Sequence, residues 1–73
     1  MRVLAWVHMY PPNHCAGAEM MLHEILLGLR ARGNEVHVMC NDNPAAEFDG
    51  IPITVQDNRD SLELINWADI IIT

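Results

Sequence analysis

Apolar and polar residues alternate along this chain in blocks that change period. Val3-Leu4-Ala5-Trp6-Val7 is an unbroken apolar run, the pattern of a strand covered on both faces. After a proline-containing stretch, Ala18, Met21, Leu22, Ile25, Leu26 and Leu29 recur at helical spacing. They predict a buried stripe, with Met20 and Leu27 as a secondary stripe and His23 on the solvent side. Glu19 in the first turn and Arg30 and Arg32 in the last complement the helix dipole, and Gly33 suits the left-handed position past the end. Gly28 inside this helix costs about 1 kcal/mol against alanine. Period two returns in Glu35-Val36-His37-Val38-Met39-Cys40, with Val36, Val38 and Cys40 on one face and His37 and Met39 on the other.

The second half is less regular. Asn41 to Gly50 is polar and turn-rich, and Ala45-Ala46-Glu47-Phe48 reads as one helical turn. Ile51-Pro52-Ile53-Thr54-Val55 predicts a third strand, placed at a sheet edge because Pro52 lacks a ladder donor. Asp60 followed by Glu63 offers a capping-box start for a short helix ending at Trp67 or Ala68. Leu62, Ile65 and Ala68 are its apolar positions, with Leu64 beside them, and Trp67 reads as a core or edge-covering residue. Ile70-Ile71-Ile72 follows as a fully apolar fourth strand. Strand–helix alternation with right-handed crossovers predicts an α/β fold. It is a half-size Rossmann-like unit: a four-stranded, mostly parallel sheet of order 3-2-1-4, with helices on both faces. Ligands of open α/β sheets bind beyond the strands' carboxyl ends at the switch point, here between the first and fourth strands.

Length and charge narrow the function. At 73 residues the chain is one small domain, burying only about 60% of the surface its unfolded form exposes. No apolar run approaches the ~20 residues of a membrane span, and no signal peptide is visible. Two cysteines make no disulfide framework, which suits a reducing cytoplasm. The net charge is −6, there is no lysine, and the four arginines are scattered, so a nucleic-acid partner is not expected.

The wording around the first turn resembles a known family. Pro11, Pro12, Ala16-Gly17-Ala18-Glu19 and Arg32-Gly33-Asn34-Glu35-Val36 are similar to the opening of GT-B glycosyltransferases, in particular glycosyltransferase family 4. That family begins with a strand, a proline-containing loop, a Gly-Gly-Ala-Glu-like helix start and a helix ending in Arg-Gly-His-Glu-Val. Ala16 stands where the first glycine would be, and Asn34 where the histidine would be. The resemblance covers about the first forty residues, and "NWADIIIT" more loosely. It implies that residues 1–73 are a partial N-terminal Rossmann-like domain, the part that mainly binds the acceptor, with the second, donor-binding domain absent. The implied chemistry moves a sugar from a nucleotide diphosphate sugar to an acceptor hydroxyl. The donor is a substrate, with no permanently bound cofactor. Activity of these 73 residues alone is not expected, and the partner is a missing C-terminal half or another copy.

Five residues are candidates for substrate binding: Gly17, Ala18, His8, His14 and Glu19. A glycine at a helix start lets a phosphate or sugar approach free backbone N–H groups, but it also serves a tight turn. Glu19 can hold a substrate hydroxyl, although the helix dipole alone explains a carboxylate there. His8 ends the first strand and faces the expected cleft, where it either bonds an acceptor hydroxyl or is a strand-end residue. His14 and Cys15 belong to the loop wall. His8, His14, Cys15 and Cys40 gather near one rim, yet none has zinc-motif spacing, and no metal is assigned. No catalytic set is visible: no Ser-His-Asp arrangement, no Walker loop and no G-x-G-x-x-G fingerprint. Asp42, near the end of the second strand, keeps a dinucleotide-binding fragment as a minor reading. A non-catalytic association module built on the same scaffold is the other alternative.

Overall fold

The first apolar run forms strand β1 (Arg2–Trp6), and its uniform hydrophobicity is matched by burial of Val3, Leu4 and Ala5 on both faces. The computed structural model describes residues 1–12, 16–56 and 58–73, and the side chains of 58–60 lie outside that description. Helix α1 (Gly17–Ala31) follows, then β2 (Glu35–Cys40), β3 (Glu47–Phe48), β4 (Ile51–Val55), α2 (Asn58–Trp67) and β5 (Ile70–Ile72). The sheet order is β3-β4-β2-β1-β5. β4, β2, β1 and β5 run parallel, and β3 pairs antiparallel with β4.

The four parallel strands stand in the expected sequence; the fifth is a correction. Ala45 to Phe48 is no helical turn, because Glu47-Phe48 pairs with Ile51-Pro52 across a two-residue loop. Asp49 (φ 51°) and Gly50 (φ 81°) are both left-handed, as the tightest hairpin loop requires. β4 is therefore flanked by β2 and β3 and is not an edge. Pro52 is tolerated for a geometric reason. Ile53 N–H points toward β3, bonding Ala46 O at 2.8 Å, so the neighbouring Pro52 nitrogen points toward β2. The β2–β4 ladder begins only at Val38 opposite Ile53, so no bond is lost.

α1 covers one face of the sheet. Leu26 is fully buried there with Val3, Ala5, Val36, Val38, Cys40, Ile51 and Ile53, and Leu22, Leu27 and Leu29 pack alongside. The helix ends in a paired cap, Gly33 N to Arg30 O (3.0 Å) and Asn34 N to Leu29 O (3.2 Å), with Gly33 at φ 92°. Its rotation differs from the expected one: His23 is buried, whereas Met21 and Ile25 are 67% and 51% exposed. α2 lies on the opposite face, where Trp67 meets His37 edge-on. It starts two residues before Asp60, and it turns Ser61 inward and Leu62 outward, the reverse of the apolar reading. β5 is held to β1 by Asp69, whose backbone N–H bonds Arg2 O (2.8 Å) while its carboxylate accepts from Arg2 N (2.9 Å). β5 occupies one edge of the sheet, with Ile70 and Ile71 exposed. Among the described residues no helix is long and apolar enough to cross a membrane.

Candidate functional site

Parallel strands deliver their following loops to one rim, and two adjoining cavities lie there. One, of about 370 Å³, is lined by Trp6, Val7, His8, Asn41 and Thr73, which follow or end β1, β2 and β5. The other, of about 260 Å³, is lined by Val7, His8, Met9, Ala18, Glu19 and Leu22, at the first turns of α1. Val7 and His8 form the wall between them. This is the point where β1 has neighbours reached by opposite crossovers, as the sheet order requires of a switch point.

The candidate residues converge on this rim to different degrees. His8 lines both cavities, and its Nδ1 is 2.7 Å from Asn41 Nδ2. The adjoining backbone bond, Asn41 N to His8 O at 3.1 Å, ties the loops after β1 and β2 together. With Nδ1 accepting from Asn41, Nε2 carries the proton and is the donor offered to a ligand. Ala18 and Glu19 line the second cavity. Gly17 is the first residue of α1, is exposed, and has a negative φ. A Cβ placed on it meets no described atom within 4 Å, so neither backbone geometry nor packing demands a glycine there. His14 and Cys15 lie outside the described residues.

The start of α1 is open electrostatically. Ala16 occupies the cap position without a side-chain hydrogen bond, so among the described residues no side chain caps the first-turn N–H groups. One Glu19 carboxylate oxygen is shielded from solvent and has no hydrogen-bond partner among the described residues. A buried acceptor of this kind costs stability unless a donor reaches it.

Below the rim lies a network that the sequence pattern concealed. Tyr10 is fully buried, and its hydroxyl lies 2.6 Å from His23 Nδ1. His23 Nε2 lies 2.8 Å from the Asp49 carboxylate in the hairpin loop, and Phe48 packs on the imidazole. Burial first, and then the Asp49 charge, push the Tyr10 hydroxyl well above its usual value. Buried Asn43 donates to the Tyr10 and Pro11 carbonyls at 3.0 and 3.1 Å, while its own carbonyl accepts from Ala45 N. Pro11 is itself fully buried, so the chain following β1 returns to the core at this point. Tyr10, His23, Asn43 and Asp49 thus anchor the loop that carries His8. Only the Asp49-Gly50 pair, a hairpin dipeptide, was a usable local signal for any of them.

Cys40 is a buried thiol on the α1 face, pushed up mainly by burial, and His37 points to the other face. Among the described residues no three of His, Cys, Asp and Glu are grouped to hold a metal ion. Comparison with protein-family models, curated proteins and solved structures returns no match.

Proposed function

We propose that this chain is the N-terminal, mainly acceptor-side segment of a GT-B glycosyltransferase, with a Rossmann-like half-domain as its scaffold. The observation that carries the reading is the pair of cavities at the carboxyl rim, both lined by His8, the second reaching the start of α1. Gly17 is compatible with it, because the space beside the first-turn amides is open among the described residues. In this reading the amides of Gly17 and Ala18 meet a diphosphate or acceptor oxygen, and His8 Nε2 donates to the acceptor. His14 remains the loop candidate of this reading, and Glu19 accepts a hydrogen bond from a substrate hydroxyl. Stabilising charge on the departing diphosphate would carry much of the catalysis. A complementary donor-binding half completes the enzyme, and this segment alone is inactive.

Titration of the 73-residue chain with a nucleotide diphosphate sugar, followed by amide NMR, tests the reading. Saturable shifts confined to residues 7–9 and 17–19 support it. Shifts absent there, or stronger with NAD than with the nucleotide sugar, refute it. One observation favours the association module instead: Ile70 and Ile71 at the β5 edge and Met21 and Ile25 on α1 are exposed apolar residues.

A further inference from the structure

A third cavity lies away from the rim, on the face of the sheet that α2 covers. It measures about 540 Å³ and is lined by His37, Thr54, Glu63, Leu64 and Trp67. It exists because α2 packs over β1, leaving β2 and β4 roofed only by the helix flank. We propose that this cavity binds a small primary alkylammonium ion, its charged head at Glu63 and its alkyl chain against Trp67 and Leu64. The inference is independent of the glycosyltransferase reading.

Charge and chemistry point the same way. Glu63 is exposed and has no ion-pair partner among the described residues, which places a carboxyl group at the cavity mouth. Among the described residues no cationic side chain lines the cavity. His37 shares a 2.7 Å hydrogen bond with Thr54 Oγ1, and burial lowers its pKa from 6.5, so it stays uncharged at neutral pH. If Nε2 donates to Thr54, Nδ1 is left as a lone-pair acceptor suited to an ammonium N–H. Trp67 is half-buried and meets His37 at 68° with centroids 6.1 Å apart, so His37 does not stack flat on the indole. An aromatic ring beside a carboxylate attracts a cation by its quadrupole as well as by charge. The volume suits a small ligand, and a net charge of −6 raises the local concentration of cations.

The test is NMR titration of the 15N-labelled chain with n-butylammonium, against n-butanol as neutral isostere and glucose as polyol, at constant ionic strength. The Trp67 indole N–H is the reporter, and that of Trp6 is the internal reference. Saturable movement of Trp67 with n-butylammonium alone is expected. Glu63→Gln, at an exposed position, should weaken binding about fivefold or more, and Trp67→Leu, followed through the Leu64 backbone amide because the indole is gone, should abolish it. If Trp67→Leu fails to fold, Glu63→Gln decides by itself. Absence of a saturable shift, equal affinity in Glu63→Gln, or a response to n-butanol or glucose as strong as to the ammonium overturns the proposal.

Discussion

Replacing Tyr10 by phenylalanine deletes one oxygen and isolates the physics of the buried network. The hydroxyl and its His23 partner are 2.6 Å apart and have 0% and 1% exposure, so water cannot substitute for the lost group. A net hydrogen bond is worth about 0.5–1.5 kcal/mol, and a buried partner left unpaired costs about 1–3 kcal/mol. Tyr10→Phe should therefore destabilise by about 1–3 kcal/mol. At about 0.05–0.15 kcal/mol per residue the whole domain holds only roughly 4–11 kcal/mol, so the loss is a large share. With a urea slope near 1 kcal/mol/M, the unfolding midpoint should fall by about 1 M or more. His23→Leu strands the Tyr10 hydroxyl at similar cost, whereas Asp49, with a side chain 58% exposed, is simply rehydrated. The double variant has neither orphan, so its loss should fall short of the summed single losses by about 1 kcal/mol or more. Additivity within about 0.5 kcal/mol would refute the network. Alkaline titration gives a second readout. The folded state holds the Tyr10 proton more tightly than the unfolded chain, whose value is 10.0, so this stabilisation is complete below pH 10 and is lost as pH rises further. Tyr10→Phe should lack that alkaline decline.

Gly17→Ala should change unfolding free energy by less than about 0.5 kcal/mol, since its Cβ meets no described atom within 4 Å, yet weaken nucleotide diphosphate binding; unchanged affinity in the titration would remove Gly17 from the site. Gly50→Ala should cost about 1 kcal/mol or more in a denaturant melt, because φ is 81°; the Arg30 guanidinium, 2.5 Å from the new Cβ, ends a flexible side chain and can move aside. His37 has a folded pKa below its unfolded 6.5, so its contribution is present above pH 6.5 and lost as pH falls; melts of His37→Gln should lack that acid-side decline. The exposed β5 edge should drive self-association, and Ile71→Lys should shift sedimentation toward monomer; a parent chain that stays monomeric at high concentration would contradict this.

Period and turn chemistry determined a large part of this protein. Unbroken apolar runs define β1 and β5, alternation defines β2, and Gly33 stops α1 at the left-handed position it occupies. The right-handed crossover rule then sets the order of the four parallel strands, and with it the rim where His8, Ala18 and Glu19 meet. The local pattern could not set the rotation of α1. Met20, Met21, Leu22, Ile25, Leu26, Leu27 and Leu29 cover so much of its circumference that several faces could turn inward. The choice was made by Tyr10 and Asp49, 13 and 26 residues distant, which capture His23 and leave Met21 and Ile25 in solvent. β3 was decided in the same way. Helix-favouring Ala45-Ala46-Glu47 yields to the Asp49-Gly50 turn because pairing with β4 completes the hairpin and brings Asp49 to His23. Hydrophobic periodicity reports how much surface must be buried, whereas hydrogen bonds between distant residues decide which surface it is.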